Sequence, residues 1–307
     1  MNGVLVIDKP GGMTSHDVVR KIRRICGTRR VGHAGTLDPM ATGLLLVAVG
    51  EATRIVEYLM EGEKTYRATL QLGEATDTQD AAGKTVASNE HYPRDEAVIR
   101  QAISTFLGQQ QQVPPMYSAI KKNGVPLYRL ARQGVEIERE PRYINVRQLQ
   151  VLEIDLPRVT FEVVCSKGTY VRTLCHDIGL SLGTFAHMTD LRRIRSGSFE
   201  LNEAVTLKDL EQAAPEILAG MMLSLAEGLR DYPVCQLQTE AVQKLRHGIP
   251  PRADEFSSST TLDEGEVVVL QDRDQTLAIG RFAPLRTRET RGDIELFKVF
   301  NLPVQES

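Results

Sequence analysis

One carboxylate stands out by its surroundings, because Asp38 lies in a stretch of small and apolar residues, "GHAGTLDPMATG" (32–43). Small residues let another molecule approach the backbone closely, and a concave wall of small groups with one carboxylate suits a flat apolar ligand. A carboxylate can also attack an electrophilic carbon covalently and divide one difficult step into easier ones. The pattern predicts a pocket with Asp38 as its reactive group. The small residues are Gly32, Ala34, Gly35, Ala41 and Gly43.

A simpler structural role also fits Asp38. An Asp followed by a Pro, here Pro39, is a favoured helix start, in which the Asp side chain caps the first turn and the Pro takes the first helical position. This interpretation leaves the surrounding small residues unexplained. From these residues alone, both interpretations stay open.

Hydrophobic periodicity predicts the elements around this stretch. "GVLVID", near the start of the sequence, predicts a strand, and "TSHDVVRKIRRICG" predicts a helix that Thr14 or Ser15 caps and Gly27 ends. "LLLVAVG", which follows the Asp38 stretch, is an apolar run short enough for a buried strand. Asp38 is therefore expected in a loop between a helix and a buried strand.

Further elements follow along the chain. "KTYRATLQLG" predicts a strand with Tyr66, Ala68, Leu70 and Leu72 on one face, and "GEATDTQDAAGK" predicts a polar loop. "RDEAVIRQAISTFLG" and "TYVRTLCHDIGLSLG" predict helices, and "VTFEVVCSKG" predicts a strand. Residues 113–147 are predicted to form a long basic segment that leaves the core, here called the excursion, with one short helix. Long loops of this kind are usually functional or mobile. Short strands beyond residue 230 predict a small β-rich domain.

Composition sets the broad class. With 307 residues, 41% hydrophobic and 25% charged, the chain is typical of soluble globular proteins. No apolar run approaches the roughly 20 residues that span a bilayer, and no signal peptide is recognisable, so a cytoplasmic location is expected. The four cysteines include no C-x-x-C pair and are expected to be reduced core residues. The spacing of Cys165, Cys175, His176 and His187 fits no common zinc pattern, so no metal is expected.

Charge is divided unevenly along the chain. The net charge is only −3, yet positive charge gathers in residues 20–30, 121–134 and 191–197. Local basic stretches can bind polyphosphate because the field at the contact surface governs binding. Most such runs are ordinary solvated faces, so three of them indicate a nucleic-acid partner without establishing it.

Several long motifs, in order, give the chain a specific resemblance. They are "GVLVIDKPGGMTSHDVV", "RRVGHAGTLDPMATGLLLVAVGEATR", "KTYRATLQLGEATDTQDAAG", "VPPMYSAIKKNGVPLYRLARQG" and "CSKGTYVRTLCHDIG" followed by "LRRIRSG". Over about residues 3–200 the chain resembles the bacterial tRNA pseudouridine-55 synthase family, the TruB family. Agreement of several motifs in order makes chance an implausible explanation.

The resemblance implies an α+β fold with a mixed, mainly antiparallel central sheet flanked by helices. It implies a catalytic domain over residues 1–230, with an RNA-binding insertion at about 113–147, and a small PUA-like RNA-binding domain over 231–307. It also implies isomerisation of a uridine at position 55, in the T-loop of the T arm of tRNA. Asp38, in the family's G-T-L-D motif, would be the nucleophile. No cofactor is implied, and a monomer is expected.

The resemblance also assigns roles to other residues. Arg172 would be the cation that keeps the buried Asp38 ionised, since a closed pocket disfavours a lone charge. Tyr66 would stack on the uracil and help to remove its C5 proton, Tyr170 and Leu191 would line the base pocket, and His33 would enter the RNA loop. The further residues expected to contact the RNA are Lys9, Lys121, Lys122, Arg129 and Arg132. Whether Asp38 attacks C6 of the base or C1′ of the ribose stays open.

Three other functions compete with this one. A P-loop phosphotransferase requires a Lys and then a Ser or Thr at the positions that His33 and Ala34 occupy, so this function is excluded. A metal-dependent nuclease using Glu74, Asp77 and Asp80 is disfavoured, because these residues are better explained as a solvated loop. A tRNA-folding chaperone without chemistry stays open, and an Asp38→Asn variant separates it from the enzyme.

Overall fold

A computed structural model describes residues 1–257, 261–284 and 292–300. Its strands are β1 (Gly3–Lys9), β2 (Val31–Ala34), β3 (Thr42–Val49), β4 (Lys64–Leu72), β5 (Glu74–Thr76), β6 (Thr85–Ser88), β7 (Gly108–Gln112), β8 (Lys121–Lys122), β9 (Val125–Pro126), β10 (Arg142–Asp155), β11 (Arg158–Cys165), β12 (Ala186–Ser196), β13 (Phe199–Glu200), β14 (Val205–Thr206), β15 (Val234–Gln236), β16 (Val267–Asp272), β17 (Gln275–Phe282) and β18 (Ile294–Val299). Its helices are α1 (Ser15–Ile25), α2 (Val56–Leu59), α3 (Glu96–Ser104), α4 (Leu127–Ala131), α5 (Val171–Ser181), α6 (Leu207–Gln212), α7 (Pro215–Gly220), α8 (Leu225–Gly228) and α9 (Thr239–Arg246).

One large sheet organises the first part of the chain. Its strand order is β14-β1-β3-β12-β4-β11-β10-β7, with β2 paired to β3 and β13 paired to β12. Only the β1–β14 and β3–β12 pairs are parallel, and the other pairs in this sheet are antiparallel. The expected mixed, mainly antiparallel sheet with flanking helices is confirmed. A second sheet, β15-β16-β17-β18, forms the expected β-rich C-terminal part.

The first helix begins where its sequence indicates. Thr14, not Ser15, is the N-cap of α1: its hydroxyl accepts from the Asp17 amide and the Asp17 carboxylate accepts from the Thr14 amide. Val18, Val19 and Ile22 bury the inner face against the sheet. Ser15 is freed for another contact, described below.

Two expectations about connections need correction. A short strand, β2, follows α1 and takes up the start of the Asp38 stretch, so Asp38 lies in the connection between two strands that pair with each other. The excursion also ends earlier than expected, because β10 begins at Arg142 and pairs with both β7 and β11. The part outside the large sheet is therefore residues 113–141. None of the helices in the described ranges has both the length and the hydropathy to cross a bilayer.

Candidate active site

The stretch that carries Asp38 is an irregular turn between β2 and β3. The Ala41 amide donates to the Asp38 carbonyl at 3.1 Å, but no helix follows, so the helix-cap interpretation of Asp38 is wrong. Ser15, at the start of α1, fixes the turn: its hydroxyl accepts from the Leu37 amide at 2.9 Å and donates to the Leu37 carbonyl at 3.2 Å. The position of Asp38 is thus tied to the first helix.

The side chain of Lys9 also supports the turn that carries Asp38. Its side chain is fully buried, and its ammonium group donates to the carbonyls of Pro10 (2.9 Å), Met13 (2.6 Å) and Pro39 (3.4 Å). Burial lowers the pKa of Lys9 to about 8, and the Asp38 carboxylate opposes this shift. Its donors thus face the backbone, and the expectation that Lys9 contacts substrate stays a prediction.

Arg172 and Asp38 form the predicted ion pair. Arg172 lies in the first turn of α5 and its side chain is only 5% exposed. Its Nε lies 2.9 Å from one carboxylate oxygen of Asp38, and its Nη2 lies 3.1 Å from the other. This two-point contact fixes the orientation of the carboxylate and favours its charged form. The predicted contact is confirmed.

Three further groups hold the Arg172 guanidinium. Nη1 donates to the Thr78 carbonyl at 3.1 Å, and Nη2 donates to the Tyr117 carbonyl at 2.8 Å. Nη1 also lies 3.7 Å from a carboxylate oxygen of Asp80, which is buried. The expectation that Asp80 belongs to a solvated loop is therefore wrong. These contacts hold the Arg172 guanidinium in the orientation that meets the Asp38 carboxylate.

Opposing effects act on the pKa of Asp38. Burial raises the pKa of Asp38 above its ordinary value of 3.8, and the nearby Asp80 carboxylate adds to the rise. The charge of Arg172 and its hydrogen bonds act in the opposite direction. The carboxylate is 28% exposed, so an incoming molecule can reach it. Asp38 is thus an accessible carboxylate whose charged form is favoured mainly by the Arg172 guanidinium, with a smaller effect from Lys9.

A cavity of about 290 Å³ opens beside this ion pair. Its size lies at the low end for ligand pockets, and suits one planar ring better than a dinucleotide. Tyr66 of β4, Tyr170 and Leu191 of β12 line it together with Asp38 and Arg172. These are the five residues that the resemblance places around a uracil. The cavity therefore combines flat apolar walls with a single oriented carboxylate.

Comparisons with known proteins agree with this geometry. Residues 23–171 match the model of the TruB family pseudouridylate synthase N-terminal domain, and residues 172–229 match the tRNA pseudouridylate synthase B C-terminal domain. The chain is 52% identical to tRNA pseudouridine synthase B of Syntrophotalea carbinolica, with 98% of each chain covered. It is 45% identical to the enzyme of the same name from Geobacter sulfurreducens, covering 98% of this chain and all of the relative. The chain belongs to the TruB family of pseudouridylate synthases.

Solved structures support the fold of this TruB family enzyme. A chain of a Cbf5–Nop10–Gar1 complex superimposes with a TM-score of 0.76 and 30% identity, covering 97% of this chain and 84% of that one. An H/ACA ribonucleoprotein bound to a substrate RNA containing 2′-deoxyuridine gives a TM-score of 0.75 and 29% identity, covering 98% and 85%. The enzyme is accordingly a pseudouridine synthase, an isomerase.

Tyr170 is held at its backbone. It is the N-cap residue of α5, and its side chain does not cap the helix. The Gln112 side chain, at the end of β7, accepts from the Tyr170 amide at 2.8 Å and donates to the Tyr170 carbonyl at 3.0 Å. The amide of this buried glutamine thus clasps both backbone groups of the residue that forms one cavity wall. Sequence reasoning missed Gln112, since four consecutive glutamines offer no periodic signal.

The small residues of the Asp38 stretch are used more for packing within the protein than for lining the cavity. Gly35 lines the cavity, but Ala34 and Ala41 are fully buried in the core. At Gly43, with φ +99°, a Cβ would lie 2.2 Å from the Arg193 carbonyl oxygen. The close approach that requires this glycine is therefore between β3 and β12. The expectation that all five small residues face a ligand is only partly correct.

The remaining residues expected to bind RNA lie outside the cavity of this TruB family enzyme. His33 lies on β2 opposite Val47, and its buried Nδ1 has no hydrogen-bond partner within the described part. Lys121, Lys122, Arg129 and Arg132 are exposed on the excursion. Their RNA contacts stay predictions. No cluster of three or more His, Cys, Asp or Glu among the described residues is arranged to hold a metal ion.

Two buried cations at the cavity were also missed by sequence reasoning. Lys64, 6% exposed, donates to the carbonyls of Met60, Glu61 and Gly62 where α2 ends. Burial lowers the pKa of Lys64 to about 8. Arg193 is 1% exposed and lines the same cavity. The burial of these two residues was hard to predict, because a basic residue in a strand usually lies at the surface.

Proposed function

We propose that this pseudouridine synthase acts on tRNA and converts the uridine at position 55, in the T-loop, with Asp38 as nucleophile. The observation that carries the proposal is the two-point Arg172–Asp38 pair in the wall of a cavity shaped for one planar base. The tRNA substrate follows from the names of the relatives. The choice of the T-loop follows from the family resemblance.

The reaction is an isomerisation in which atoms and electrons balance within the substrate. The N1–C1′ bond breaks, the uracil turns in the cavity, and C5 bonds to C1′. The proton leaves C5 and a proton is gained at N1. Neither a hydride nor a phosphate is transferred, so the protein's own groups can supply the catalysis. Asp38 would form and release a covalent bond to carbon, which requires the carboxylate form that Arg172 favours.

The cavity requires a base that has left its stack. Extruding a nucleotide costs a few kcal/mol, and the cost is least where the base is already unpaired. Tyr66 and Tyr170 offer aromatic faces for such a base, in the way that RNA-binding proteins hold splayed bases. A loop uridine is therefore the favoured target over a uridine in a duplex.

The basic excursion supplies the predicted contact with the phosphate backbone. Lys121, Lys122, Arg129 and Arg132 are exposed there, and none of them lines the cavity. Contacts of this kind weaken as salt rises, because bound counterions are released on binding. The domain division at residue 230, the PUA-like role of the C-terminal sheet, the monomeric state and the cytoplasmic location stay predictions beside this proposal.

Substitution of Asp38 by Asn tests the proposal. An unmodified tRNA transcript is incubated with the purified protein alone, and pseudouridine is mapped along it. We expect one pseudouridine in the T-loop with the wild type, and no product but retained tRNA binding with Asp38→Asn. Asp155→Asn, at the exposed end of β10, is the matched control and should behave as the wild type. An unchanged yield with Asp38→Asn would exclude the assigned nucleophile, and product elsewhere would exclude the T-loop.

A further inference from the structure

Four cations line the cavity within the described ranges, and Lys167 differs from the other three. Arg172, Arg193 and Lys64 are buried, and each of them donates to main-chain carbonyls. The side chain of Lys167 is 59% exposed, and its ammonium group lies 2.5 and 2.6 Å from the two carboxylate oxygens of Glu61, which is 50% exposed. Among these four cations, Lys167 is therefore the one that a ligand can reach at the cavity mouth without uncovering a buried group.

The backbone that carries Lys167 is a fixed turn between β11 and α5. The Ser166 amide donates to the Asn145 carbonyl at 2.9 Å, and the Ser166 hydroxyl accepts from the Asn145 amide at 3.0 Å. The Thr169 hydroxyl closes the turn by donating to the Ser166 carbonyl at 2.9 Å, and Gly168 takes the positive φ of +84°. These contacts tie the turn to β10 and keep Lys167 at the cavity mouth.

The backbone that carries Glu61 is fixed as well. The buried Lys64 ammonium donates to the carbonyls of Met60, Glu61 and Gly62, and Met60 lines the cavity. The Lys167–Glu61 pair thus joins two fixed segments at the cavity mouth through two exposed side chains. An exposed ion pair contributes little to stability, so Lys167 can exchange its carboxylate partner for another anion at low cost.

We propose that Lys167 binds a phosphodiester that flanks the target uridine, and that Glu61 occupies this position on Lys167 in the free enzyme. The inference rests on the proposed function. The cavity of about 290 Å³ suits one planar ring, so the ribose and its two phosphates stay at the mouth, where Lys167 lies. Phosphate and carboxylate oxygens are both anionic acceptors for an ammonium group. Lys167 keeps an anionic partner in both states, and the released Glu61 carboxylate returns to water.

The two partners should affect RNA binding in opposite directions. Binding of the tRNA transcript is measured on the Asp38→Asn background, so that the uridine is not converted. We expect Lys167→Gln to raise Kd about 10-fold, because a charged hydrogen bond is lost. We expect Glu61→Gln to lower Kd about 2- to 5-fold, because a competing anion is removed. A pair that only stabilised the cavity mouth would give weaker binding in both variants, and an unchanged or raised Kd for Glu61→Gln would overturn the inference.

Salt dependence provides a second readout for the same variants. Loss of one phosphate contact should make the slope of log K against log salt concentration shallower by about 0.7 to 1 in Lys167→Gln. Arg100→Gln and Glu96→Gln are the matched controls, since these residues form an exposed pair at 3.3 Å on α3. The controls should keep the Kd and the slope of the background protein. A slope that Lys167→Gln leaves unchanged would contradict a phosphate contact.

A modified RNA tests which phosphate is bound. The probe is a synthetic hairpin RNA of the T arm in which an uncharged methylphosphonate replaces one of the two phosphodiesters that flank the target uridine. At one of these positions we expect the replacement to raise Kd about 10-fold when Lys167 is present and less than about 2-fold in Lys167→Gln. A methylphosphonate in the stem is the control and should affect both proteins equally. Equal costs with and without Lys167 at both flanking positions would overturn the inference. Failure of the proposed function would appear separately, as a T-loop uridine that the wild type leaves unmodified.

Discussion

Arg172 approaches Asp38 from the side, with its Nε 2.9 Å from one carboxylate oxygen and its Nη2 3.1 Å from the other. The same guanidinium donates to the carbonyls of Thr78 and Tyr117, so it also joins the polar loop after β4 to the start of the excursion. The pair therefore does more than neutralise charge. It fixes the direction in which the carboxylate faces the cavity.

We expect Arg172→Lys to lower the single-turnover rate by more than about 100-fold. A lysine ammonium keeps the positive charge but cannot contact both carboxylate oxygens and the two carbonyls together. Single-turnover rates on the tRNA transcript measure the effect, and Arg158→Lys, exposed at the start of β11, is the matched control. A rate near that of the wild type would mean that charge alone is sufficient.

We expect the acid limb of the pH–rate profile to lie above pH 3.8, because burial raises the pKa of Asp38 above that ordinary value. Activity needs the carboxylate form, so it is lost as the pH falls through this raised pKa. Asp80 carries a like charge that raises the pKa of Asp38 further, so Asp80→Asn should move the limb to lower pH. Single-turnover rates measured at a series of pH values check both statements, and a limb that moves upward in Asp80→Asn would contradict the second.

Gln112→Leu should reduce both stability and turnover. The substitution removes the side-chain amide that accepts from the Tyr170 amide and donates to the Tyr170 carbonyl. Leaving such buried groups unpaired costs about 1–3 kcal/mol each, and the displaced cavity wall should lower kcat/KM about 10-fold. Gln111→Leu, exposed on the same strand, is the control. Urea unfolding and steady-state kinetics measure the two effects. Equal behaviour of the two variants would contradict the role given to the contact between the Gln112 side chain and the Tyr170 backbone.

Much of the fold was predictable because its signals are local. The helix α1 follows from its capping box and its apolar spacing, and both are properties of neighbouring residues. The face of β4 that carries Tyr66 follows from strand alternation, and Ala68, Leu70 and Leu72 do lie in the core beside it. The family motifs then predicted the Arg172–Asp38 contact across 134 positions of sequence separation.

Other features were not predictable because they depend on packing. Asp80 belongs to a polar loop in sequence, but that loop folds against β12, where the Ala81 amide donates to the Met188 carbonyl at 2.9 Å. This contact carries Asp80 out of solvent and toward Arg172. The closeness of Gly43 to Arg193 likewise follows from the pairing of β3 with β12, and periodicity does not specify which strands pair.

The sequence by itself determined the residue types that can do the chemistry, the elements that carry them and the family to which they belong. Only the tertiary structure decided that Asp38 lies in a turn instead of capping a helix, that Lys9 faces backbone carbonyls, and that Arg193 is buried at the cavity. The physical reason is that local propensity depends on residues a few positions apart. Burial and charge pairing depend on which distant segments the sheet brings together.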